Sequence, residues 1–207
     1  ERRCAAKPAD AAQPLGGPLI VCATSGTTVL GAFDDVAAIA EVCRKYDLWL
    51  HVDASWGGAA AFLPHDAPER SVLAGLENAH SITINPHKLL GVTHQCSFLL
   101  VHDKSVLIPP SHSDGGYLFH VPAEDALDMA TKTLGCGRRG DALKFYLVWL
   151  RYGTQGLGDH IAHGLRMAQA LWQRLQRIPS LELGPHAEPL VLQMCVRPRE
   201  PSVRAVH

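Results

Sequence analysis

Four consecutive residues, Asn85-Pro86-His87-Lys88, place a primary amine directly behind the short run Ser81–Asn85 (SITIN). Pro86 fixes the approach of the chain, and a lysine behind such a run is poorly placed to reach bulk water. Desolvation favours the neutral form of an amine, which is the nucleophile that condenses with a carbonyl to give a Schiff base. By itself the same residue also reads as a surface lysine in a loop. Asp53 closes a second run, Leu48–Asp53 (LWLHVD). A carboxylate at a buried strand end needs a positive or hydrogen-bonding partner. A protonated pyridine nitrogen is one such partner; a helix cap or a loop ion pair is the other reading.

Three further groups have chemical uses. Thr27 and Thr28 offer hydroxyls and N–H groups at a strand-to-helix turn, suited to a phosphate or phenolic oxygen or simply to closing the turn. Gly57-Gly58, after Trp56, allow close approach of backbone or ligand. Gly115-Gly116-Tyr117 mark a segment that presents a phenol, in a position where most tyrosines pack. His160 and His163 have an i, i+3 spacing but no carboxylate or thiolate cluster beside them, and no metal is expected.

The elements that must position these residues follow an α/β rhythm. Leu19–Thr24 (LIVCAT) is a nearly continuous apolar run, predicted to be a strand buried on both faces. Asp34 is the predicted N-cap of a helix carrying Val36, Ile39, Ala40, Cys43 and Tyr46 at helical spacing. The second strand is Leu48–Asp53, then come a short helix, a third strand Ser81–Asn85 and a fourth, Cys96–His102, apolar enough to lie inside the sheet. Ligands in such sheets gather at the carboxyl ends of the strands, where Thr28, Asp53 and Lys88 fall. Two helices follow, Ala142–Tyr152 and 154–178, the second with a stripe of Leu157, Ile161, Leu165, Ala168, Trp172, Leu175 and Ile178 that Pro179 ends. Leu190–Val196 begins a further unit.

Composition limits the classes of function. Of 207 residues 47% are hydrophobic and 19% charged, enough to bury a core. The net charge of −1 gives no footprint for nucleic acid, and no apolar run has the length of a membrane span. The six cysteines form no C-x-x-C pair and read as buried free thiols, Cys22 and Cys43 among them, of a reducing, cytoplasmic compartment. The chain opens on Glu1, and residues 1–18 are Ala/Pro/Gly-rich and unpatterned. It is expected to be a piece of a longer protein.

Six stretches, CATSGTTVLGAFDD (22–35), LWLHVDASWGG (48–58), SITINPHKLLGV (81–92), QCSFLLV (95–101), GGYLF (115–119) and LGCGRRGDALKFYLVWLRYGTQG (134–156), resemble the group II pyridoxal-phosphate decarboxylases. The branch is that of glutamate and cysteine sulfinate decarboxylase. H-V-D-A-x-W-G-G followed some thirty residues later by N-P-H-K is the strongest part of the likeness, which covers most of residues 19–178.

The resemblance implies the large domain of a type I pyridoxal-phosphate-dependent (aspartate-aminotransferase-like) α/β fold, incomplete at both ends. Residues 19–178 would be the C-terminal part of that domain and 179–207 the start of a small one. Lys88 matches the Schiff-base lysine, Asp53 the partner of the pyridine nitrogen, and Tyr117 the proton donor of a mobile loop. Thr28, Asn85 and His87 match residues around the cofactor and its phosphate. Ser55 stands where the family usually has an alanine on the cofactor ring. The implied reaction is decarboxylation of glutamate, aspartate or cysteine sulfinate with pyridoxal 5'-phosphate, in a homodimer that binds neither nucleic acid nor membrane. The competing readings are a desulfurase or aminotransferase on the same fold, or a truncated, inactive chain. The strands flanking Leu19–Thr24 and Ser81–Asn85 are expected outside these residues, leaving the stripe of the last helix partly uncovered.

Overall fold

The computed structural model describes residues 18–107, 139–184, 189 and 191–199. Residues 1–17 and Tyr117 lie outside the described residues.

Four strands form one sheet in the order β1 (Ile20–Thr24), β2 (Trp49–Asp53), β3 (Ser81–Ile84) and β4 (Phe98–Val101). The first three run parallel and β4 is antiparallel to β3. The register sets Asp53 between Thr24 on β1 and Thr83 on β3. Alternation along β2 buries Leu50 and Val52 completely and turns His51 and Asp53 to the opposite face.

Helix α1 (Val36–Tyr46) covers the buried face. Its Val36, Ala40 and Cys43 pack with Ala23, Leu50, Val52 and Ala54, and full burial of an aliphatic side chain such as Leu50 is worth about 1.5–3 kcal/mol. The N-cap is Asp35, whose carboxylate accepts from the Ala38 N–H at 3.0 Å. The expected cap, Asp34, is instead taken up by Thr24, whose N–H it accepts at 2.8 Å. An adjacent pair of aspartates offers the same cap chemistry, and the tertiary bond decides which is free.

Several expectations are corrected at the sheet's margins. β1 is not buried on both faces: Ala23 packs under α1, but Ile20, 52% exposed, and Cys22 point to the opposite face, which no described element covers here. β4 lies at the other edge, with Leu99 and Leu100 exposed, rather than inside the sheet. Ser81–Asn85 does not lack its neighbours, since β3 has β2 on one side and β4 on the other. Between β2 and β3 the chain makes three 3-10 turns, Gly57–Phe62, Pro68–Leu73 and Leu76–Asn78, in place of one short helix.

The long helix α2 (Asp141–Leu175) is broken at Gly153, where φ 66° and ψ 177° are not helical. That conformation belongs almost exclusively to glycine, and the two segments correspond to the two helices read from the sequence, except that the second ends at Leu175 rather than 178 and leaves Ile178 exposed. The stripe of the second segment is largely covered: Leu157, Ile161, Ala168 and Trp172 are buried. Leu157 and Ile161 share a core with Leu63, Leu89, Leu90 and Val191. At Gly158 a Cβ would fall 2.4 Å from the Phe62 carbonyl oxygen, so helix and 3-10 turn meet backbone to backbone. A two-stranded sheet, β5 (Leu181–Leu183) with β6 (Val196–Pro198), follows α2.

Candidate active site

The three strand ends that carry Thr28, Asp53 and Lys88 converge because β1, β2 and β3 are parallel neighbours. After β1 the chain turns through Gly26, whose φ is 91°, and the Thr27 hydroxyl accepts from the Ala32 N–H at 2.9 Å. Thr27 is therefore occupied in closing its own turn. Thr28 is exposed and faces the site, its hydroxyl accepting from the Trp56 indole N–H at 3.3 Å.

Asp53 is exposed at the end of β2, and its Oδ1 accepts from the Ser55 N–H at 3.0 Å. Partial burial pushes its pKa up, but hydrogen bonds from Ser55 and the charges of Lys88 and His51 outweigh that, holding the carboxylate below its ordinary value. It is an ionised acceptor with capacity to spare. Two residues back on the same face, His51 has both ring nitrogens partnered across the sheet: Nδ1 with Ser81 Oγ at 2.8 Å and Nε2 with Thr83 Oγ1 at 3.3 Å. The Trp49 indole N–H donates to that same Ser81 oxygen at 2.9 Å.

Beyond β3, a turn closed by the Lys88 N–H on the Asn85 carbonyl (2.9 Å) presents residues 85–88. The segment 95–97 braces it. The His87 ring sits against the Cys96 backbone, with Nδ1 2.5 Å from its carbonyl oxygen and 3.1 Å from its amide nitrogen. The Ser97 hydroxyl donates to the side-chain amide oxygen Oδ1 of Asn85. This brace is tied to the start of α2, where the Lys144 ammonium donates to the Gln95 carbonyl and pairs with Asp141 at 2.7 Å. Cys96 is 1% exposed, and burial pushes its thiol pKa up, Asp141 adding to the rise and Lys144 opposing it.

The Lys88 ammonium lies over the Trp56 ring, 4.9 Å from the ring centroid. Lys88, Asn85, His87, Ser55 and Trp56 are all half-buried. Nearby, the Ser25 side chain is fully buried and its hydroxyl has no hydrogen-bond partner.

Thus Thr28, Asp53, Ser55, Asn85, His87 and Lys88 fall at one end of the sheet, as expected. Trp56, His51 and the 95–97 brace were not singled out from the sequence. His51 had a signal, its i−2 relation to Asp53, which puts both on one strand face. The brace had none, because it acts at 95 and 96 through backbone atoms and at Ser97 through a partner 12 residues away. Among the described residues, no group of three His, Cys, Asp or Glu could hold a metal ion. The chemistry available is that of an amine, an ionised carboxylate and a hydroxyl at one end of the sheet.

The family described as "Pyridoxal-dependent decarboxylase conserved domain" matches residues 12–197. An L-aspartate decarboxylase of Metarhizium robertsii is 45% identical over 179 residues, 86% of this chain and 35% of that protein. Human cysteine sulfinic acid decarboxylase is 43% identical over 190 residues, 90% of this chain and 38% of that one. The crystal structure of mouse CSAD in apo form superposes with a TM-score of 0.79 at 40% identity, covering 91% of this chain and 38% of that chain. The chain thus spans little more than a third of the length of these relatives.

Proposed function

The chain belongs to the pyridoxal-dependent decarboxylase family, and from that premise we propose that its site serves the decarboxylation of an acidic amino acid, releasing CO2 and an amine. The fold is of the type I pyridoxal-phosphate class, and the family's cofactor is pyridoxal 5'-phosphate. The donor set fits that group: an amine stands ready for its aldehyde, and a carboxylate held ionised for its ring nitrogen. When bound, the cofactor supplies an electron sink for the charge left on the substrate carbon as CO2 departs.

The residues divide the remaining work. Lys88 would hold the cofactor covalently through Nζ. Asp53 would keep a proton on the ring nitrogen, its Oδ1 being held by the Ser55 N–H. Ser55 and Thr28 would line the ring, while Asn85 and His87 would stand beside the phosphate. Tyr117 would deliver a proton to the substrate carbon. One observation carries the reading: Asp53 and Lys88 follow adjacent parallel strands at the same end of the sheet, close enough for the lysine charge to act on the carboxylate.

Names of relatives support aspartate or cysteine sulfinate as substrate, with glutamate the third candidate. On the same reading, residues 19–178 are the C-terminal part of the cofactor-binding domain and 179–207 the start of a smaller one, and the working protein is a homodimer. Unpaired Cys43 and Cys96 support a cytoplasmic setting. No helix among the described residues is long and apolar enough to cross a membrane. The test is to supply the protein that carries this sequence with cofactor and each of the three acids. CO2 release from one of them is expected; transfer of the amino group to a keto acid, or sulfur release without CO2, would overturn the proposal.

A further inference from the structure

Lys88 and Asp53 bear opposite charges at one end of the sheet, yet they form no ion pair. The Asp53 carboxylate takes the Ser55 N–H, and the Lys88 ammonium rests on the face of Trp56, 4.9 Å from the ring centroid. An indole face within about 6 Å attracts an ammonium through its quadrupole, most strongly where water is partly excluded.

Trp56 is held for that task from both sides. Its indole N–H donates to Thr28 Oγ1 at 3.3 Å, which fixes the tilt of the ring. The next residue, Gly57, donates its N–H to the Ser25 carbonyl at 3.0 Å. A Cβ at Gly57 would stand 2.5 Å from Phe33 Cε1 and 2.6 Å from the Ser25 oxygen, so the main chain at this point has no room to move towards β1. The lysine is equally fixed at its backbone, within the turn that ends on the Gly91 N–H to Lys88 carbonyl bond of 3.2 Å. Only its side chain chooses a partner.

We propose that Trp56 is a positioning residue that seats the Lys88 ammonium away from Asp53, so that both groups are available to an incoming cofactor. An ion pair between them would occupy the amine needed by the aldehyde and the carboxylate needed by the ring nitrogen. It would have to break before either could act. The indole supplies a competing seat that holds the amine without engaging the carboxylate. This inference rests on the assignment of Lys88 given above.

The test uses the protein that carries this sequence, stripped of cofactor, and follows the rate at which added pyridoxal phosphate is captured, read by its absorbance band. Trp56→Leu should slow capture about fivefold, Thr28→Val about twofold through the loosened indole, and Trp56→Phe also about twofold, because a ring face remains but the bond to Thr28 is lost. The decisive comparison is made in an Asp53→Asn background. With no carboxylate to trap the lysine, adding Trp56→Leu should change capture by less than about 1.5-fold. The same fivefold loss in both backgrounds would mean that Trp56 matters only for packing and would overturn the proposal. So would unchanged capture in Trp56→Leu. Thermal melts check that each variant is folded; if Trp56→Leu is not, the Phe and Thr28→Val arms decide, and equal rates for Thr28→Val and wild type overturn the idea. Borohydride trapping with peptide mapping runs alongside. An adduct on Lys88 in wild type keeps the two questions separate, whereas an adduct on Lys104 or Lys144 would sink the Lys88 assignment itself.

Discussion

Ser55 donates its backbone N–H to Oδ1 of Asp53 at 3.0 Å, so the residue that ends β2 is held by the second residue after it. Apart from burial, which pushes the carboxyl pKa up, hydrogen bonds from Ser55 are the strongest influence on it, and they pull it down. A carboxylate whose folded pKa lies below its unfolded value of about 3.9 stabilises the fold above that pH. The contribution is lost as pH falls through the folded value. Ser55→Ala removes the hydroxyl and leaves the backbone bond, so the folded value should rise towards the ordinary one. Thermal midpoints measured from about pH 6 down to about pH 3 should then lie lower in the variant at the upper end and converge with wild type as the pH falls, because the variant has less of this contribution to lose. A carboxyl-carbon NMR titration of Asp53 checks the direction, and a pH-independent difference between the two proteins would show that Ser55 only packs.

Asp53→Asn tests charge at nearly constant shape. The amide keeps a hydrogen-bond acceptor for Ser55 but cannot stabilise a protonated ring nitrogen. Turnover should fall on the order of 100-fold, the scale of losing one electrostatic contact to developing charge, while cofactor is still retained. Steady-state CO2 release against a fluorescence titration of cofactor separates the two effects. Near-normal turnover would leave Asp53 a structural part alone.

Tyr117→Phe should separate carbon–carbon cleavage from the proton delivery that follows it. The ring stays while the acid is lost. CO2 release is expected to survive better than formation of the correct amine, with more oxidised or transaminated side product. An unchanged product ratio assigns the proton to another group.

Gly57→Ala probes the close approach beneath Trp56. Its methyl would meet Phe33 and the Ser25 carbonyl oxygen inside contact distance, and overpacking of this kind destabilises by about 1–3 kcal/mol. The cofactor-free protein should melt earlier and also capture cofactor more slowly, since Trp56 moves with the backbone. A variant with the wild-type melting temperature would show that this turn yields more easily than its geometry implies.

The parallel order of β1 to β3 and the place of the site at their carboxyl ends were legible because apolar runs, turn residues and crossover lengths are local properties. So was the break at Gly153, since it falls between two separate helical stripes. Cross-strand partners were not. His51 meets Ser81 and Thr83, which are 30 and 32 residues away, and no linear spacing encodes that register. Nor does an apolar run such as LIVCAT say whether it ends up at the centre of a sheet or at its rim. Tryptophan's double use was hidden for a different reason: in a string, Trp56 reads as bulk, and only its neighbours reveal an indole N–H bound to Thr28 on one edge and an ammonium on its face.

One helix touches both sides of the site. The first segment of α2 grips the 95–96 backbone that pins His87, through Lys144 on the Gln95 carbonyl and the Cys96 thiol on the Asp141 carbonyl. Its second segment lies backbone to backbone on the 3-10 turn that follows Trp56, at Gly158 against Phe62. The joint between the segments is Gly153, where a Cβ would find nothing within 4 Å. The helix therefore ties together the two segments that carry the lysine side and the aspartate side of the site, and both ties run through one chain whose single non-helical joint is Gly153.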